Sequence, residues 1–385
     1  MELLMRGKLL LMLAVILATS CSGAFRYKDS TSFDLPSWNR FRGNPQNTAY
    51  VASHMPLPNR LLWKHDVDKP LMSSPIVNGR ILIVGSLTKR VHFFDALSGK
   101  HLGVHKVPSA VSSSACGDGS VIYFGQDQGK ETMTALDLQT GKVLWKDQLG
   151  DITSSPVLCG NRVVVGSGSG ILWALDRETG EVMWKFKTSS SIISTPACED
   201  LSSTVASQGT IWFGSTDGRL YALESDSGKT SWEFNAKAGV YSSPAVKNGK
   251  VFFGSVDGKL YALDRADGSL KWTFRTEGDI YSSPAAADSL VYIGSNDYCM
   301  YAVRQESGEK VWKFKTGGLV HSSPIAIGDK LFFGSYDGNF YVLDRFTGKL
   351  LWKYQTEGMI SASPAYFDGK VYMASEDGSL YCFGT

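Results

Sequence analysis

The amino-acid sequence predicts an all-β fold: an eight-bladed β-propeller of four-stranded antiparallel blades. Three observations carry the expectation. Tryptophan recurs in steps of about forty residues, at Trp63, Trp145, Trp184, Trp232, Trp272, Trp312 and Trp352, with Gly103 in the one vacant slot. A small–small–Pro marker keeps the same period at Pro75, Pro156, Pro196, Pro244, Pro284, Pro324 and Pro364, and its vacant slot falls at Ser114 in Ser112-Ser113-Ser114. Between the markers, short apolar runs alternate with Asn-Gly and Asp-Gly dipeptides. A period of this length signals repeated supersecondary units that share one continuous core.

Residues 239–272 show the four strands of one unit in order: SSPAV, KVFFGS, KLYALD and SLKW. The breaks between them are Asn248-Gly249, Asp257-Gly258 and Asp267-Gly268. Such pairs supply the positive φ that tight hairpin turns need. A single four-stranded meander cannot bury both faces, whereas radial repetition lets each blade cover its neighbours. One large ring per blade on the outer strand fits between adjacent sheets, where burial of roughly 200 Å² contributes several kcal/mol at about 25 cal/mol/Å².

The ends predict closure. The last unit stops at Leu380-Tyr381-Cys382-Phe383 without a Trp strand, while Leu61-Leu62-Trp63-Lys64 precedes the first small–small–Pro marker and belongs to no earlier unit. The N-terminal strand is expected to complete the last blade, giving eight blades over residues 61–385 and removing the open edges.

Composition narrows the function. The net charge is +2 with both signs interspersed, so nothing in it points to electrostatic capture of nucleic acid. The six cysteines form neither vicinal nor CxxC pairs, so neither a zinc site nor a redox motif is indicated. Cys116, Cys159 and Cys198 fall near one register of three successive blades. They read as small buried thiols, or as a disulfide if two Cα atoms lie within about 7 Å.

Residues 1–20 read as a signal peptide, with Arg6 and Lys8 before the apolar run Leu9 to Ala18. The run ends Leu17-Ala18-Thr19-Ser20-Cys21, which resembles a bacterial lipobox, and the resemblance implies lipid attachment at Cys21. Ser22 resembles the sorting signal for the outer membrane, so the expected location is a lipid anchor in the bacterial outer membrane facing the periplasm. Residues 21–37 are expected to act as a tether, reaching about 50 Å if extended. Residues 38–60 are expected to pack on the propeller rim.

The sharpest motif runs Ala174-Leu175-Asp176-Arg177-Glu178-Thr179-Gly180-Glu181-Val182-Met183-Trp184, with counterparts ending at Trp232, Trp272 and Trp352. It resembles the repeat of the pyrroloquinoline-quinone (PQQ) propellers over nearly the whole mature chain. The repeat is a structural device and by itself implies no quinone. Two branches of that family matter. Quinoprotein dehydrogenases need PQQ, a calcium ion, a catalytic Asp and commonly a vicinal disulfide, and this chain has no Cys-Cys pair. The other branch is the non-catalytic lipoproteins, above all the BamB family of outer-membrane protein assembly factors. That resemblance implies a scaffold with no cofactor, metal or catalytic residue, whose partner is a BamA-like barrel-assembly protein or another envelope protein. The Arg-bearing segment and the Asp-x-Asp that mark the BamB partner loops have no counterpart in Ser190–Pro196 or Gly239–Pro244. A PQQ-dependent enzyme and a periplasmic sensor or ligand-binding lipoprotein are the alternatives.

The loops before small–small–Pro and the Ser-x-Asp-Gly hairpins are expected on one face of the disc. The residue before the small pair varies: Met72, Val111, Thr153, Ile193, Tyr241, Tyr281, His321 and Ser361. Tyr241, Tyr281 and His321 form an aromatic arc over three consecutive blades, either a partner-binding channel mouth or ordinary channel lining. The hairpin acids Asp217, Asp257, Asp297, Asp337 and Asp377 fall on that same face, where a ring of carboxylates could attract a cation or a basic partner, although turn formation alone accounts for them. His321 has no Ser, Cys or Asp partner fixed by spacing.

Overall fold

The computed structural model describes residues 25–27, 33, 37–67, 70–199 and 209–385. The expected signal peptide and Cys21 lie outside the described residues. Eight four-stranded antiparallel sheets follow one another around a central axis, each a simple meander from the innermost to the outermost strand. The fifth blade is representative: Ala245–Lys247, Lys250–Gly254, Lys259–Asp264 and Leu270–Arg275. The ring closes as expected. Arg60–Asp66 pairs antiparallel with Ser379–Gly384 and supplies the outer strand of the eighth blade.

The tryptophan period has a direct physical explanation. Six of the seven rings lie against the turn glycine of the next blade: a Cβ added at Gly308 would come within 2.8 Å of Trp272, and one at Gly348 within 2.7 Å of Trp312. Both glycines have positive φ, 74° and 73°, so the turn needs glycine on two counts. The indole N–H then donates to a backbone carbonyl of that next blade: Trp145 to Arg177 at 3.0 Å, Trp184 to Ser225 at 3.0 Å, Trp232 to Arg265 at 3.1 Å, Trp272 to Gln305 at 2.9 Å and Trp312 to Arg345 at 2.9 Å.

The small–small–Pro marker forms a second seam nearer the axis. The amide of the second small residue donates to the hydroxyl of its counterpart one blade on: Thr195 to Ser243 at 2.8 Å, Ser243 to Ser283 at 2.9 Å, Ser283 to Ser323 at 2.9 Å and Ser323 to Ser363 at 3.0 Å. Ser363 donates to Ser74 at 2.8 Å, which carries the seam across the closure from the eighth blade to the first. Only a small hydroxyl residue can both fit and accept there. In the second blade the inner strand begins at Cys116. The proline slot is therefore Ala115, one residue beyond the Ser114 expected, and Ser112 rather than Val111 takes the position before the small pair.

A further expectation is corrected. Residues 38–51 do not lie on the rim; their carbonyls pair with the inner strands around the axis. Trp38 accepts from Val77, Asn39 from Gly117, Pro45 from Cys198, Gln46 from Val246, Thr48 from Ala286 and Ala49 from Ala326, all at 2.7–2.9 Å. Inner strands leave one edge of N–H groups facing the channel, and this segment satisfies it. Tyr50–Val51 goes further and adds a parallel fifth strand to the seventh blade. For the cysteines both of the expected alternatives occur. Cys159 and Cys198 form a disulfide between the inner strands of the third and fourth blades, Cα atoms 5.9 Å apart, while Cys116 is a free buried thiol.

Candidate functional site

The loops entering each blade and the Ser-x-Asp-Gly hairpins share one face, and a funnel of about 180 Å³ opens there on the axis. Its wall is the ring of small hydroxyl residues with the variable residues above them, and its floor is Phe41 from the channel segment. Beneath the floor Arg42 is buried, donating Nη2 to the Pro284 carbonyl at 2.7 Å, and burial pushes its guanidinium down to about 9. The chain thus closes its own channel, and the funnel is a shallow mouth.

The residues that vary around the mouth are held rigidly on both sides. Ile280 packs on Gly254, where an added Cβ would come within 2.1 Å of its Cγ2. Two residues later Ser282 accepts the Gly294 amide at 3.3 Å. Tyr281, between these anchors, projects into the funnel. The same arrangement fixes Tyr241 between buried Val240 and Ser242, which accepts the Gly254 amide at 3.1 Å. His321 stands between buried Val320 and Ser322, which accepts the Gly334 amide at 3.0 Å.

The structure brings the expected arc together. Tyr241 and Tyr281 have ring centroids 5.0 Å apart, and Tyr281 stacks on His321 at 4.9 Å and 30°. Sequence reasoning missed a fourth member. Tyr336 packs on His321 with centroids 4.5 Å apart, and its hydroxyl and His321 Nδ1 are hydrogen-bonded at 2.8 Å. The signal was available: among Thr216, Val256, Asn296, Tyr336 and Glu376, the variable hairpin positions, only Tyr336 is aromatic. His321 Nε2 is buried without a partner, and burial pushes the imidazole below its usual value, so the ring is neutral near pH 7. Across the mouth the polarity changes. Ser112 donates to Asp127 Oδ1 at 2.7 Å and Ser361 to Glu376 Oε1 at 2.7 Å.

The hairpin acids are occupied by the fold. Tyr221, Tyr261, Tyr301, Tyr341 and Tyr381 donate their hydroxyls to Asp217, Asp257, Asp297, Asp337 and Asp377 at 2.6–2.8 Å. Amides of the preceding blade add to this, as Gly317 does to Asp337 at 2.7 Å. Burial first, then the carboxylate beside it, pushes the Tyr221 hydroxyl up to about 12. Both oxygens of each acid are thus engaged, Oδ2 by the tyrosine and Oδ1 by the amide two residues on.

The residues present do not fit a calcium–quinone centre. Among the described residues no group of three or more His, Cys, Asp or Glu is placed to hold a metal ion. The disulfide is not vicinal, and the inner strands carry it toward the opposite face, beside Pro45 and Arg40.

Fold, seams and mouth define an eight-bladed propeller of PQQ-like repeats. Residues 77–330, well over half of the chain, match the family described as "Beta-alanine-activating enzyme, beta-propeller", and the chain belongs to that β-propeller family. Residues 301–384 match the family described as "Outer membrane protein assembly factor BamB". Among solved structures, BamB from Moraxella catarrhalis superposes with a TM-score of 0.72 at 20% identity, covering 85% of this chain and 100% of that one. A europium-containing methanol dehydrogenase superposes with a TM-score of 0.76 at 16% identity, covering 92% and 99%. At such identities the likeness speaks to the fold alone. The quinohemoprotein alcohol dehydrogenase ADH IIB of Pseudomonas putida is 28% identical over 127 residues, a match spanning 28% of this chain but only 18% of that protein.

Proposed function

We propose that this chain is a non-catalytic, lipid-anchored scaffold of the outer membrane, facing the periplasm, which assists assembly of β-barrel proteins through protein–protein contacts at the funnel mouth. One observation carries this reading: a rigid aromatic arc lines one side of the funnel mouth, above the segment of the chain that fills the axis. Rigid Tyr and His rings give large contact area at low entropy cost. The match of residues 301–384 to the BamB family gives that contact a biological setting. The Cys159–Cys198 disulfide favours an oxidising compartment, as export through the expected signal peptide would provide. Acylation at Cys21 supplies the anchor, and the expected partner is a BamA-like barrel-assembly protein or another envelope protein.

A quinone-dependent dehydrogenase is the second reading, favoured by the sequence match to the Pseudomonas putida enzyme. The occupied hairpin acids and the missing vicinal cysteines count against it. The test is a photo-crosslinking residue at Tyr281 in growing cells, with a second on the opposite face at Phe346, an exposed position. Adducts with one envelope protein at Tyr281 and none at Phe346 support the scaffold. Equal labelling at both sites, or saturable PQQ binding by the purified protein, overturns it.

A further inference from the structure

One blade lacks the ring that its fellows bury, and the gap is filled from outside the repeat. Gly103 holds the tryptophan slot of the first blade, paired directly with Phe93. A Cβ added at Gly103 would come within 3.0 Å of the Phe25 ring. Phe25 is only 7% exposed and stacks on Phe93 with centroids 4.2 Å apart and planes at 13°. The missing hydrogen bond is replaced as well. In five of the other seams the indole N–H donates to the carbonyl directly after the turn's first residue, as Trp145 does to Arg177 after Asp176. In the second blade that carbonyl belongs to Leu138, after Asp137, and it receives the backbone N–H of Tyr27 at 2.7 Å. Tyr27 packs edge-on against Phe33 at 5.8 Å, and both rest on the core shared by the first two blades.

We propose that Phe25 and Tyr27 form a latch that seals the first interblade seam and fixes where the chain leaves the disc toward its anchor. The second half of this statement rests on the lipoprotein reading above. Cys21 precedes Phe25 by four residues, a span of at most about 14 Å, where a tether free from residue 21 to 37 would reach about 50 Å. On that reading an acyl group carried at Cys21 lies no farther than about 14 Å from Phe25 at the first interblade seam. A link this short keeps that side of the propeller near the membrane.

The experiment uses the mature protein purified from membranes and returned to lipid vesicles. Mass spectrometry reads acylation at Cys21, and hydrogen exchange reads the Tyr27 amide. The expected result is an acylated N-terminus with a Tyr27 amide exchanging at least tenfold more slowly than a free chain. In Phe25→Ala that protection is lost and Tm falls by roughly 2–6 °C, while Phe25→Leu retains most of both. Unprotected Tyr27 in the acylated wild type overturns the latch. A protected Tyr27 with an unmodified Cys21 supports the latch and removes the link to the membrane.

Discussion

Truncating one seam ring tests how the propeller is held together. Trp272 is 9% exposed, lies over Gly308, tilts against Phe252 with centroids 5.8 Å apart and donates to the Gln305 carbonyl at 2.9 Å. Removing a ring that buries roughly 200 Å² forfeits up to about 5 kcal/mol, and leaving the carbonyl unpaired adds about 1 kcal/mol. Access of water to the vacated seam offsets part of this, so Trp272→Ala is expected to cost about 3–5 kcal/mol. For a propeller of roughly 325 residues the unfolding entropy is near 0.7 kcal/mol/K, which converts that loss to a fall in Tm of about 4–7 °C. Differential scanning calorimetry with a urea titration provides the assay, and the two methods should agree on the loss. Trp272→Phe separates the contributions, since it keeps an aromatic ring but loses the donor, and should cost about 1–2 kcal/mol. A Tm within about 1 °C of wild type for Trp272→Ala, with the fold intact, would refute the interblade role.

Three further outcomes follow from the same geometry. Gly308→Ala meets both a φ of 74° and the Trp272 ring at 2.8 Å, and should cost roughly 2–4 kcal/mol, whereas Gly249→Ala, at φ 71° with nothing within 4 Å, should cost about 1 kcal/mol; paired denaturant titrations check the difference. The Cys159–Cys198 bridge closes a loop with a sequence separation of 39, so replacing both cysteines by serine should lower stability by about 2–4 kcal/mol, and reductant should lower the wild-type Tm but not that of the variant. Burial alone would raise Asp337 and Asp377, but the Tyr341 and Tyr381 hydroxyls and nearby amides outweigh it and hold both carboxyls below 3.8. A depressed carboxyl stabilises the fold above its unfolded value, so this contribution is full from about pH 5 upward and is lost as pH falls below about 4; Asp337→Asn should flatten that acid limb in a pH series of unfolding titrations.

The blade count, strand order and closure were legible because each blade repeats one physical solution. Trp needs a neighbouring glycine, and the Ser-x-Asp-Gly hairpin needs its acid, so both leave periodic marks. The parts that break the period were harder to read. Residues 38–51 carry no pattern, since their contribution is backbone carbonyls to the Val77, Gly117, Cys198, Val246, Ala286 and Ala326 amides. Phe25 fills a slot seventy-eight residues along the chain from Gly103, and no local spacing links the two. The disulfide pair sits at a separation that a repeat produces anyway, so only the Cα distance distinguishes it from two buried thiols. At the mouth, Tyr241, Tyr281 and His321 were found by comparing one register position around the ring. Tyr336 was missed because it comes from the neighbouring hairpin register, and Ser112 because the missing proline shifted the frame by one residue.

The most direct test of the scaffold account is recovery of the partner itself. Mild crosslinking in intact cells, purification of the membrane-extracted protein and mass spectrometry of what accompanies it would identify that partner. The account predicts one dominant envelope protein of the barrel-assembly kind, lost when Tyr241, Tyr281 and His321 are replaced together by alanine while Tm stays unchanged. Recovery of electron-transfer proteins instead, or of the same partner with the triple variant, would contradict it.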